Sequence, residues 1–316
     1  MADVNIGEIA ASTMEFYHKT FVDNIFKKHV LMDHLKQNGG VKLYPGGRLI
    51  RVPLMYRTNS TVQRVNGAQA LDLTYQDTLD AAEYNYELYN VSITLTLEDE
   101  LKNSGESQVM SLLEAKIKQA ELSLSEALNT DLFTGTAADG DVIGLDTIMS
   151  TTTTIGGISG TTYSWWRANV DATSETLSIA DMRTKKNSAN KGNGGSNVSL
   201  IVTTQTLYEK YQSLLTATIT MNQPITSETK RIGDGGFTAV EFEGVPVVFE
   251  EAATSGSMYF INKDNFKLGI HKDANFARRK KSEPADQHLF VEHVVAYAQT
   301  VVDRRLSLSL LSGKTA

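Results

Sequence analysis

The last residues of the chain, Gly313-Lys314-Thr315, copy the end of a phosphate-binding loop, where backbone amides and a lysine hold phosphate oxygens at the head of a helix. That pattern also needs a glycine five positions before the second one. Leu308 stands there and no helix follows, so phosphate chemistry is not expected. Gly192-Asn193-Gly194-Gly195 lacks the third glycine of a dinucleotide site and reads as a linker. Asp139, Asp141 and Gly144 match part of a calcium loop. Ile143 fills one ligand position, however, and Ser150 stands where a bidentate glutamate belongs, which leaves a glycine-assisted turn. The histidines (His18, His29, His34, His271, His288, His293) form no HExxH pair. Gly157-Ile158-Ser159-Gly160 is one residue out of step with a nucleophile elbow. No nucleophile–base pair or metal constellation emerges, so the chain is expected not to be an enzyme, with no catalytic, cofactor-binding or metal-binding residues.

What remains is binding. Arg278-Arg279-Lys280-Lys281 is the one dense basic run. It reads either as a solvated turn beside Glu283 and Asp286, or as an intersubunit ion-pair patch or a local contact to DNA phosphates. Trp165-Trp166 reads as an aromatic anchor of the core rather than a stacking platform. Asn197-Val198-Ser199 fits a glycosylation sequon, idle without secretion. The charge of −7 argues against a surface that grips nucleic acid broadly, yet allows a wall that encloses it. Among 316 residues there is no cysteine, which fits assembly in a reducing cytoplasm. No run approaches the roughly 20 apolar residues that span a bilayer, and Met1-Ala2-Asp3-Val4-Asn5 does not open a secretory signal.

The elements that must position these residues follow from periodicity. Ser12 and Glu15 have capping-box spacing, and Met14, Tyr17, Phe21, Ile25, Met32 and Leu35 fall near one face of a helix over 12–36, ended by Gly39-Gly40. Residues 41–57 read as extended, with Pro53 marking an edge or protruding strand. Residues 58–82 turn polar and weakly patterned. The alternation of Val91, Ile93, Leu95 and Leu97 then returns an extended run. Two strands with a long polar tip make a finger that cannot bury a core of its own and must lie on another molecule or in solvent.

Residues 107–133 carry the strongest helix stripe, through Val109, Leu113, Ile117, Ala120, Leu124, Leu128 and Leu132. Beyond Gly135 come a loop-rich stretch, a helix near 175–187, a strand at 199–203, and a helix from Thr204 to about Leu215. Strands are expected near 237–242, 245–250, 258–262, at 268–270 and over 289–302, with a basic turn between the last two. Leu306, Leu308 and Leu310 alternate with serines at the close.

This order resembles the major capsid proteins of tailed bacteriophages, the Hong Kong 97-type shell fold that encapsulin compartments share. Leu132-Phe133-Thr134-Gly135, Gly144-Leu145-Asp146 and Tyr163-Ser164-Trp165-Trp166-Arg167 add to the likeness. The resemblance implies an α+β fold with an N-arm at 1–40 and an extension-loop β-hairpin at 41–98. It implies a peripheral domain at 99–169 and 263–316, with a spine helix at 107–133, and a mixed α/β axial domain at 170–262. It further implies pentamers and hexamers that close into an icosahedral head around double-stranded DNA, assembled in the host bacterial cytoplasm. A scaffold protein, a portal and decoration proteins would be the other partners, with no membrane and no cofactor. An encapsulin-like shell around protein cargo is the alternative. Intersubunit contacts are expected at Arg57, Arg64 and Tyr75 on the finger and at Arg278, Arg279, Lys280 and Lys281.

Overall fold

The computed structural model of the chain describes residues 29–96, 98, 112–138, 140–192, 197–219, 240–282 and 289–316. The Ser12 capping box and most of the first helix lie outside them. The described part is helix α1 (Val30–Gln37), which buries Val30, Leu31, Met32 and Leu35. His34 is buried on the same helix, and burial pushes its pKa down to about 4, so it stays neutral. Its Nδ1 takes the amide of Asn38 (3.3 Å), which leaves the proton on Nε2, facing Ser199 Oγ at 3.2 Å.

Strands β1 (Val41–Tyr44), β2 (Leu49–Met55), β3 (Leu79–Asn85) and β4 (Glu87–Thr96) follow. β2 and β3 pair antiparallel from Leu49 opposite Asn85 to Met55 opposite Leu79, and this two-stranded ribbon is the stem of the finger. Pro53 lies in β2, whose second edge carries no strand among the described residues. A residue without an N–H fits such an edge.

The spine is helix α2 (Leu112–Thr134), 23 residues and about 35 Å long at 1.5 Å per residue; residues 107–111 lie outside the description. Ile117, Ala120 and Leu124 pack on Ile93, Val294 and Ala296, while Leu128 and Leu132 continue into the central core. Leu124 is 2% exposed. Leu124→Ala should therefore lower stability by about 3 kcal/mol in denaturant unfolding, the transfer loss plus a cavity under a rigid sheet. A loss below about 1 kcal/mol would show that the helix does not seal that sheet.

After the spine come α3 (Leu145–Ile148), a hairpin of β5 (Thr154–Ile155) and β6 (Ile158–Ser159), then β7 (Asn169–Asp171) and β8 (Glu175–Thr176). Helix α4 (Ile179–Asn190) is capped by Ser178, whose Oγ takes the Asp181 N–H at 3.2 Å. Next are β9 (Leu200–Thr203), α5 (Gln205–Ile219), β10 (Val240–Phe242), β11 (Val245–Phe249) and β12 (Met258–Ile261). The chain ends with β13 (Phe266–His271), β14 (Ala277–Ser282), β15 (Leu289–Val302), β16 (Ser309–Leu311) and β17 (Lys314–Thr315).

Two sheets organise these elements. In the five-stranded one, β15 pairs with β4 from Leu289–Thr96 to Ala298–Glu87, with β14 on its other side and with β13 further along; β1 joins β13 in parallel. The spine seals one face. The six-stranded sheet runs β10-β11-β9-β12-β16-β7. Its strands are covered on both sides, so all four residues of β9 are buried: Leu200 and Val202 face the central core, Ile201 the core beneath α4 and α5.

Two segments differ from the sequence reading. The basic run at 278–281 is strand β14 rather than a turn, because its backbone pairs with β15. The closing strand joins the six-stranded sheet, since Ser309–Leu311 pair with β12 and β7, while Phe266–Val302 stay with the spine sheet. A 3-10 turn at Arg305–Ser307 carries the chain from one sheet to the other and interrupts the leucine–serine alternation.

Candidate assembly surface

The finger is rooted firmly and exposed at its end. Ile50, Leu54, Ala82 and Tyr84 sit in the central core, and the Tyr84 hydroxyl donates to the Val302 carbonyl at 2.8 Å. The β5–β6 hairpin supports the stem from below. Gly156 turns at φ +61 and its carbonyl takes the Glu83 N–H at 3.0 Å; a Cβ on Gly156 would lie 2.7 Å from that of Ala82. A glycine is needed there twice over, for the turn and for the approach. On the outward face Arg51 pairs with Glu83 across the strands.

An aromatic clamp marks where stem becomes tip. The Tyr56 ring stacks on Trp165 (centroids 5.2 Å, planes 22° apart), and its hydroxyl donates to the Asp77 carbonyl at 3.0 Å, tying the two ends of the tip together. Trp165 leans on Trp166, 5.5 Å away, which is buried and donates Nε1–H to the Ile155 carbonyl at 3.0 Å. The tryptophan pair is the core anchor expected from its sequence, and it also holds the finger. Periodicity gave no sign of that second role.

Beyond the clamp, residues 57–78 contain no helix or strand. Their turns are local: Asn59 Oδ1 takes the Thr61 N–H and Asp72 Oδ1 takes the Thr74 N–H. The side chain and backbone of Thr74 hold the Asp72 carboxyl below its usual range. The tip is less polar than its sequence suggested. Met55 (84% exposed), Val62 (84%), Leu73 (88%) and Tyr75 (89%) stand in solvent, with Val65, Leu71 and Leu79 also exposed. The alternation of Leu71, Leu73 and Tyr75 is the signal that marks this as a one-faced extended segment. Covering each such side chain is worth roughly 1.5–3 kcal/mol before ordering costs, and nothing among the described residues does so.

The expected contact residues fall in two places. Arg57, over the Tyr56 ring at 5.8 Å, is on the tip with exposed Arg64 and Tyr75. Arg278 and Arg279 are exposed on β14, with Lys280 and Lys281 further along that strand. Arg278 donates to Glu292 Oε1 at 2.8 Å within its own chain, so part of that basic charge is already matched. Glu283 and Asp286, the partners considered from sequence, lie outside the described residues.

Other candidates resolve into structure. Lys314 Nζ is buried, paired with Glu175 and 3.7 Å from Asp171, and so fastens the C-terminal strand. The partial calcium loop is a turn: Gly144 N–H donates to the Gly135 carbonyl at 2.8 Å, and Asp141 Oδ2 takes the Thr136 N–H at 2.7 Å; Asp139 lies outside the description. A groove of about 700 Å³ beside β2 is lined by Lys42, Arg51, Lys267 and Arg304. Three of these cations are already engaged, with Glu83, Asp303 and the Gly192 carbonyl.

Neither a protein-family model nor a curated protein matches the sequence. Solved structures do. The capsid asymmetric unit of cyanophage A-1(L) matches with a TM-score of 0.72 at 17% identity, covering 95% of this chain and 98% of that one. The capsid of a native GTA particle matches at 0.64 and 8% identity over 100% of both chains. The encapsulin of a holo complex from Synechococcus elongatus matches at 0.62 and 9% identity, over 100% of this chain and 97% of that one. The chain has the Hong Kong 97-type capsid fold, mixed α+β.

Proposed function

We propose that this chain is the shell subunit of a tailed-phage head. Copies associate through hexamers and pentamers and close into an icosahedral container for double-stranded DNA. Assembly takes place in the cytoplasm of a bacterial host, and the shell becomes the capsid of the virion. The observation that carries this reading is the finger: a firmly rooted hairpin whose apolar tip finds no cover among the described residues. A second copy is the partner always at hand, and many weak identical contacts become cooperative in a closed array. Arg57, Arg64 and Tyr75 make contacts from the tip. Arg279, Lys280 and Lys281, with Arg278 beside them, make contacts along the edge of β14. Residues 1–40 form the arm, 41–98 the extension loop, 99–169 with 263–316 the peripheral domain and 170–262 the axial domain, to whose sheet the peripheral range lends β16. The chain acts by shape rather than catalysis, with no cofactor. A scaffold protein, a portal and decoration proteins complete the head. The net charge of −7 suits a wall that contains DNA without holding it.

The test is electron microscopy of the protein produced alone and together with the products of its neighbouring genes. Closed shells with nuclease-protected DNA are the expected result. Shells holding a protein cargo would instead make it a compartment subunit. Dispersed monomers in both preparations, across salt, would overturn the self-assembly reading.

A further inference from the structure

Glu250 follows the last residue of β11, and its carboxylate is buried where three parts of the fold meet. Oε2 accepts the backbone N–H of Leu31, in the first turn of α1, at 3.0 Å. Oε1 accepts from Asn129 Nδ2 of the spine at 2.6 Å. One side chain of the six-stranded sheet region therefore ties both helices together. Nothing among the described residues neutralises it. His29 Nδ1 lies 4.0 Å from Oε1, beyond hydrogen-bond reach, and burial holds its imidazole below the usual range. Glu126 of the spine and Asp33 of α1 favour a charged His29 and Lys36 opposes it, while Asp33 also faces Glu250 with like charge. An ionised Glu250 would thus sit in a dry junction with two neutral donors and no cation, a costly place for a charge.

We propose that Glu250 is a proton-operated clasp: protonated, it holds α1 against the spine and the six-stranded sheet, and ionised, it loosens that helix. The clasp governs how firmly α1 docks. This is a property of a single chain and stands whether or not copies assemble. Burial, aided by Asp33, pushes the Glu250 carboxyl up to about 7, against the opposing pull of the two hydrogen bonds. In an undocked helix the same carboxyl returns to about 4.5. Below that value both states hold the proton and docking is at full strength. Between about 4.5 and 7 the undocked state ionises first, so docking weakens by up to about tenfold per pH unit. Above about 7 both are ionised and the dependence ends.

Hydrogen exchange of the α1 amides in the full-length protein, corrected for intrinsic rates, reads this directly. Protection at Leu31 and its neighbours should fall by roughly two orders of magnitude between pH 4.5 and 8 in the wild type. It should be flat across that range in Glu250→Gln, which keeps the side-chain shape but has no proton to lose. Wild-type protection that ignores pH, or an unchanged slope in Glu250→Gln, overturns the clasp. Should the variant not fold, carboxyl-carbon NMR of the wild type decides: a Glu250 midpoint near 7 upholds the proposal, one near 4.5 removes it.

Discussion

Replacing residues 57–77 by an Asn-Gly turn is expected to give a well-folded monomer that builds no shells. The stem ends with Met55 opposite Leu79, and the Tyr56 N–H already donates to the Thr78 carbonyl, so a two-residue turn closes the ribbon at its natural width. The excised residues bury nothing in the core, and their turns are internal to the tip. Stability should therefore stay within about 1 kcal/mol of wild type, since a shorter loop also closes with less entropy loss. Assembly should vanish, because the removed stretch holds Val62, Val65, Leu71, Leu73 and Tyr75, the exposed apolar surface at the end of the finger. Sedimentation and microscopy of the same preparation separate the two effects. A milder version, Leu73→Asp with Tyr75→Asp, should act in the same direction by placing charge on a face that has to be dried. Shells at wild-type yield from the truncated chain would show that the finger is not an assembly element.

The parts of this fold that sequence disclosed are those held by short-range periodicity. The stripe of Ile117, Ala120, Leu124, Leu128 and Leu132 is buried along one side of α2, as a helical repeat requires. The alternation of Ile93 and Leu95 puts both in the core of β4. Pro53 marked an edge correctly for the same local reason. What stayed hidden depends on partners far along the chain. Four cations in a row suggest a solvated turn; in the fold their backbone is strand β14, paired with β15, and Arg278 meets Glu292. The tip was read as polar because its apolar residues are diluted by Asn, Gln, Asp and Thr, and only a period of two at Leu71, Leu73 and Tyr75 betrays them. Glu250 gave no signal at all. The first acid of a Glu250-Glu251 pair after an apolar strand looks like a surface residue until α1 and the spine close over it.

Arg305 is the other such residue, and its loss should be the most damaging single substitution to the monomer. The guanidinium is fully buried, yet no carboxylate among the described residues pairs with it. Nε donates to the Ile148 carbonyl at 2.9 Å, and the terminal nitrogens donate to the carbonyls of Thr153 (3.1 Å) and Ser150 (2.6 Å) and to Thr153 Oγ1 (3.1 Å). Burial without a counter-charge lowers its pKa to about 10, still leaving the group charged at neutral pH. The planar fork thus folds the loop from Ile148 to Thr153 around itself, and that loop leads into the β5–β6 hairpin on which the finger rests. Replacing a buried ion pair by hydrocarbon is often harmless, because both charges leave together. Here the acceptors are backbone carbonyls and cannot leave. Arg305→Met fills much of the volume but strands the Ile148 carbonyl, while the Thr153 and Ser150 carbonyls lose a charged donor and keep only the Gly160 N–H (3.2 Å) and the Ala168 N–H (3.5 Å). With about 1–3 kcal/mol for the stranded group and about 1 kcal/mol for each lost bond, a loss of about 3 kcal/mol or more is expected in chemical denaturation. Arg305→Lys should recover less than half of it, since one ammonium cannot reach carbonyls spread along six residues in the directions a guanidinium serves. Protease cleavage between residues 148 and 162 should rise in both variants before global unfolding, because the loop loses its internal frame while the two sheets keep theirs. A Met variant as stable and as resistant as wild type would mean that water replaces the guanidinium at no cost, and that the hairpin beneath the finger is held by its glycines and by Trp166 alone.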